Sequence, residues 1–170
     1  MTTDLSPLSK RASLDFRAFS DRAVKLGESP VWDGAAQVVW WVDIDGCAVL
    51  RSDTCGQTHR WPTPEIPGFV VLDRAGLPFV GMESGIFAFC PDTARFDLVV
   101  PLPRSGMRFN DACVDGQGRL WAGTIDVTIR QDNGVLYRVT PDAGLQAVAT
   151  GFRIINGLAW DEGAARLYVS

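Results

Sequence analysis

The feature that most constrains this chain is a turn signal that recurs about every forty residues. Four segments carry it: SPVWDGAAQVVWWVD, FVVLDRAGLPFVG, ACVDGQGRLWAG and GLAWDEGAARLYV. In each, an apolar stretch ends on an aspartate, two or three Gly, Ala or polar residues follow, and a second apolar stretch begins. That is the pattern of a β-hairpin. The aspartates are Asp33, Asp73, Asp115 and Asp161, spaced by 40, 42 and 46 residues. Between them lie further short strand candidates, CAVLR, THRW, IFAF, FDLVV, VLYRV and LQAVA, which makes about four strands per period. A fixed period of this size with four short strands in each unit predicts propeller blades stacked around an axis.

A helical reading is poor. The 17 glycines and 10 prolines interrupt nearly every amphipathic window, and the apolar runs are rich in Val, Ile, Trp and Phe. The chain is therefore expected to be all-β. Two Trp-Asp dipeptides, Trp32-Asp33 and Trp160-Asp161, suggest WD-repeat propellers. Those need a Gly-His partner in each blade, and the single histidine, His59, follows Thr58. The dipeptide is read as a buried aromatic before a turn.

Composition narrows the function classes. With 46% hydrophobic and 21% charged residues, 170 residues can bury a substantial core. The net charge is −4 and the 16 basic residues form no run, so no nucleic-acid partner is expected. The start, MTTDLSPLSKR, lacks the apolar core of a secretory signal, and no stretch reaches membrane-spanning length. A soluble, cytoplasmic protein with no membrane partner is expected. Cys47, Cys55, Cys90 and Cys113 form no CxxC pair and are read as reduced structural thiols.

The repeat also singles out one position. Five residues before each turn aspartate stand Glu28, Gly68, Asn110 and Asn156. Equivalent positions of successive blades sit at one height around the axis, so these side chains are expected at the channel mouth. One carboxylate and two amide oxygens there suit a hard divalent cation. Alternatively, Glu and Asn before a strand close a turn. Arg108 lies two residues before Asn110 and shares its side of an extended segment. It is read either as a hydrogen-bond donor to a polar ligand or as an exposed loop arginine.

Three stretches carry a family resemblance: LGESPVWD, RFNDACVDGQGRLWAGT and NGLAWDEGAARLYV. From about Ala23 to Ser170 the chain resembles the regucalcin/gluconolactonase (senescence marker protein) family. The resemblance implies a six-bladed β-propeller with one divalent metal ion at the top of its channel, calcium or zinc, with manganese or magnesium as alternatives. It implies hydrolysis of a small sugar lactone. It maps metal ligands onto Glu28 and Asn156, and substrate contacts onto Arg108 and Asn110, with Asp126 of the loop after AGT also near the substrate. The family's third metal ligand, an aspartate that is also the expected catalytic base, has no counterpart here and is expected beyond Ser170.

Residues 23–170 are thus expected to form an incomplete propeller of about three and a half blades. Residues 1–22 are expected to form a partly flexible extension that contributes an outer strand. Activity of the chain alone is expected to be impaired, and its open edges invite self-association. A non-catalytic calcium- or ligand-binding propeller is the alternative. Asp111 is read as a structural turn residue and Glu83 as a solvated hairpin charge.

Overall fold

The structure, a computed structural model, describes residues 17–20, 22–140 and 144–170. The expected outer strand from residues 1–22 falls largely outside the described residues. Residues 17–20 form no strand, and Ser20 hydrogen-bonds the Thr58 hydroxyl at 2.8 Å.

Fourteen strands are present among the described residues. The first sheet contains β1 (Gly27–Asp33), β2 (Val38–Asp43), β3 (Ala48–Asp53) and β4 (Thr58–Pro62). The second contains β5 (Phe69–Leu72), β6 (Pro78–Gly81), β7 (Gly85–Cys90) and β8 (Arg95–Pro101). The third contains β9 (Met107–Val114), β10 (Leu120–Asp126), β11 (Gly134–Thr140) and β12 (Gly144–Phe152). A hairpin of β13 (Ala159–Asp161) and β14 (Arg166–Tyr168) follows. In every sheet the strands pair antiparallel in sequence order, and the first strands β1, β5, β9 and β13 neighbour one another. This is a partial propeller of three four-stranded blades and the opening hairpin of another.

The turn aspartates explain why each blade begins with a hairpin. Asp33 Oδ1 accepts the N–H groups of Ala35 and Ala36, and Asp73 Oδ1 those of Ala75 and Leu77. Asp115 Oδ1 accepts those of Gln117 and Arg119, and Asp161 Oδ1 that of Ala164. A short carboxylate side chain thus satisfies the amides that a reversing chain cannot pair in a ladder.

The core lies between blades. Trp40, Val42, Val70, Met82 and Phe89 fill the space between the first two. Phe69, Phe109, Ile86, Val135 and Tyr137 fill that between the second and third, with Phe69 and Phe109 edge to face at 5.7 Å. One expectation is corrected here. Trp32, read as buried, is 48% exposed, because the described residues place a neighbouring blade against only one face of the first sheet.

Two side chains latch adjacent blades at one repeat position, four residues before the turn aspartate. Ser29 Oγ accepts from Val70 N–H (3.1 Å) and donates to Val70 O (3.2 Å). Asp111 Oδ2 accepts from Leu158 N–H at 2.9 Å. Val70 and Leu158 themselves share a position, three residues before the next aspartate. Asp111 therefore spans two blades from within a strand instead of closing a turn.

Candidate functional site

The first strands enclose a cleft of about 1300 Å³ lined by Glu28, Gly68, Arg108, Asn110, Asp111 and Asn156, among others. The four positions five residues before the turn aspartates thus open onto one space, contributed by four successive units. Glu28 and Asn156 are both exposed to it. Among the described residues neither side chain has a hydrogen-bond or ion-pair partner, whereas the Asn156 backbone pairs with Ser170 (N–H to O, 2.9 Å each way). The backbone is held while two oxygen-bearing side chains stay unclaimed.

Gly68 fills the same position in the second blade, and its lack of a side chain has a steric cause. A Cβ there would fall on the Phe109 carbonyl, with the Phe109 carbonyl carbon at 2.6 Å and Asn110 Cα at 2.8 Å. The second blade therefore supplies no ligand here; it provides the close approach that seats β9.

Arg108 and Asn110 form one unit on β9. Arg108 Nη1 donates to Asn110 Oδ1 at 3.0 Å and to Phe109 O at 2.9 Å. Asn110 Nδ2 donates to Ile155 O at 2.9 Å. Asn110 is thus anchored on the chain just before Asn156. The guanidinium keeps its Nε and Nη2 donors. Burial pulls the Arg108 pKa below its ordinary value, and the negative charges of Glu83 and Asp45 oppose that shift. Glu83 is half-buried, and among the described residues its carboxylate has no hydrogen-bond or ion-pair partner.

Asp126 is placed differently. It ends β10, is 9% exposed and does not line the cleft, although Ile125 and Ile129 do. Its Oδ1 accepts the Thr128 hydroxyl and the Thr128 N–H, the latter at 2.8 Å. The Thr128 hydroxyl, set against burial and aided by backbone N–H groups of the loop, holds the carboxyl below its ordinary range. As placed, Asp126 shapes the loop that carries Ile129.

The four cysteines are unpaired, and among the described residues no three His, Cys, Asp or Glu side chains cluster as a metal site. Sequence reasoning missed the roles of Gly68, Ser29 and Asp111. The shared repeat position of Ser29 and Asp111 was the available signal for the latches.

Comparison with known proteins adds the following. Residues 26–170 match the family model of the SMP-30/gluconolactonase/LRE-like region. A 6-deoxy-6-sulfogluconolactonase of Pseudomonas putida is 33% identical over 148 residues, covering 85% of this chain and 51% of that protein. Regucalcin of Danio rerio is 33% identical over 141 residues, covering 80% and 48%. The chain spans about half the length of the curated relatives it matches. Among solved structures, a luciferin-regenerating enzyme superposes with TM-score 0.80 at 22% identity, covering 86% of this chain and 52% of that one. A calcium-binding protein, regucalcin, from Agrobacterium tumefaciens gives 0.77 at 21%, covering 84% and 49%. At these identities the superpositions establish the fold.

Proposed function

Because the chain belongs to the SMP-30/gluconolactonase/LRE-like family, we propose that it is the ligand-carrying part of a six-bladed, divalent-metal-dependent lactonase that acts on a small sugar lactone in the cytoplasm. The observation that supports this best is the convergence of Glu28, Arg108, Asn110 and Asn156 on one cleft. Relatives are named for a sulfonated gluconolactone and for a pentonolactone, which agree in chemistry and differ in the charge of the sugar.

Glu28 and Asn156 fit a hard cation: both offer oxygen, and no other described group uses either side chain. When bound there, a divalent metal supplies Lewis-acid polarisation and a water of lowered pKa. The family resemblance implies a further carboxylate in the ligand set, which would also serve as general base.

The chain's own residues bind and orient. Arg108, fixed through Nη1 by Asn110 Oδ1, presents its remaining donors to hydroxyl or carbonyl oxygens of the sugar. Donors held in place before the reaction need no reorganisation as negative charge develops on the lactone oxygen. Asn110 retains one amide hydrogen for the same task. Asp126 remains part of this reading through the loop it caps, which brings Ile129 to the cleft.

Calorimetric titration of the chain with calcium and with zinc, alongside Glu28→Gln, tests the metal reading. Binding that disappears in the variant is the expected result; binding that survives it removes Glu28 from the ligand set. The second reading, a calcium- or ligand-binding propeller without catalysis, is favoured by the relatives named regucalcin. Acid release from D-glucono-1,5-lactone separates the two: metal binding without turnover, in a protein carrying all ligands, supports the second.

A further inference from the structure

Arg108 lies beside the turn that carries Glu83, and among the described residues no carboxylate takes up its hydrogen bonds, which go to Phe109 O and Asn110 Oδ1. Phe109 N–H donates to Met82 O at 3.2 Å. The peptide unit joining Arg108 to Phe109 is therefore bonded to the unit joining Met82 to Glu83, and the Cα atoms of Arg108 and Glu83 flank the same hydrogen bond. The turn carrying Glu83 is fixed on three sides. Met82 N–H donates to Gly85 O at 2.8 Å, Leu102 N–H to Ser84 O at 2.8 Å, and Ser84 N–H to Glu65 Oε2 at 2.7 Å. Asp45 comes from the β2–β3 turn of the first blade, next to Ile44, which lines the cleft. Among the described residues, neither the Glu83 nor the Asp45 carboxylate has a hydrogen-bond or ion-pair partner, and Arg108 has no ion pair.

Opposite charges held near each other without contact leave the guanidinium its directional N–H donors while cancelling much of its net field. Glu28 and Asp111 add negative charge along the same cleft, Arg74 adds positive charge to its lining, and the nearby Lys25 is directed to the Asp45 carbonyl at 3.4 Å. Neutral hydroxyls accept hydrogen bonds from such a site, whereas an anionic group enters a lining of four carboxylates, Glu28, Asp33, Asp73 and Asp111, against two guanidiniums, Arg74 and Arg108. Resting on the reading of Arg108 as a substrate contact, we propose that Glu83 is a specificity determinant that selects uncharged sugar lactones over sulfonated, phosphorylated or uronate ones. Glu83 acts through Arg108, by its charge.

The test titrates D-glucitol and D-glucitol 6-phosphate, two stable open-chain analogues, into the ¹⁵N-labelled chain and follows the Arg108 Nε–H signal. The wild-type chain is expected to bind glucitol more tightly than its phosphate. Glu83→Gln, isosteric and relieving no hydrogen bond, is expected to raise phosphate affinity about five- to tenfold, with glucitol changed by less than about twofold. Glu83→Asp is expected to keep the wild-type ratio. A Glu83→Gln ratio equal to wild type, or a wild-type preference for the phosphate, overturns the inference and leaves the lactonase reading standing. If neither polyol moves the Arg108 signal, the substrate role of Arg108 fails, and the inference fails with it.

Discussion

Replacing Gly68 by alanine is expected to be far more damaging than its single added methyl suggests. The new Cβ would stand 2.6 Å from the Phe109 carbonyl carbon and 2.8 Å from Asn110 Cα, whereas carbon atoms pack at about 3.5–4.0 Å. The obstructing atoms are backbone, so no rotamer change relieves the overlap. The second and third blades must separate locally by about 1 Å, which also loosens the Phe109–Met82 bond between them. Overpacking of this kind costs about 3 kcal/mol, a large share of the stability of a domain held by about 5–15 kcal/mol. With a urea dependence of about 2 kcal/mol per molar, the unfolding midpoint falls by about 1.5 M. Urea titration followed by tryptophan fluorescence measures this. Gly34→Ala is the control, since its Cβ would find nothing nearer than Trp32 Nε1 at 3.6 Å; a shift within about 0.5 kcal/mol is expected. Equal midpoints for the two variants would refute the claim that Gly68 is required by close blade approach.

Two further outcomes follow from buried hydrogen bonding. Asp115 is 4% exposed. Burial pushes its pKa up, but bonds from the Trp121 indole, Arg119 and Gln117 outweigh that and lower it from 3.8 to about 2. A carboxyl depressed on folding contributes stability above its unfolded pKa and loses it as pH falls through the folded one. About 2 kcal/mol should therefore disappear between about pH 4 and pH 2, and Asp115→Asn should be less stable at neutral pH and flatter across that window in acid unfolding. Asp111→Ala removes the acceptor for Leu158 N–H, and hydrogen exchange at that amide should accelerate about tenfold, matching a loss of about 1.4 kcal/mol, while amides paired between β10 and β11 keep their protection.

Much of the fold was legible because its punctuation is local. An aspartate that caps its own turn needs no distant partner, so Asp33, Asp73, Asp115 and Asp161 marked the hairpins correctly, and the intervening apolar runs matched β3, β4, β7, β8, β11 and β12. Counting five residues back from each turn aspartate names Glu28, Gly68, Asn110 and Asn156, and all four line one cleft. Contacts between blades were harder to read. Gly68 looked like a gap in a ligand series, although its smallness serves Asn110 in the next blade. Nothing near Met82 in sequence hints that its carbonyl meets the Phe109 N–H. Asp126 followed a family motif, but its carboxylate is claimed within two residues by Thr128. Trp32 was judged by its type, while its exposure depends on which sheet face has a neighbour.

The latches at Ser29 and Asp111 also carry a direction in time. Each belongs to an earlier unit and grips a backbone group of a later one, 41 residues on for Val70 and 47 for Leu158. During synthesis, at about 5–20 residues per second, a newly emerged first strand meets a predecessor whose gripping oxygen is already in place. Both grips span about one period, so at these two junctions the partner lies about a blade's length of chain away. The latched blades can therefore be laid one upon another in the order of translation, and the cleft takes its shape once Asn156 is in place.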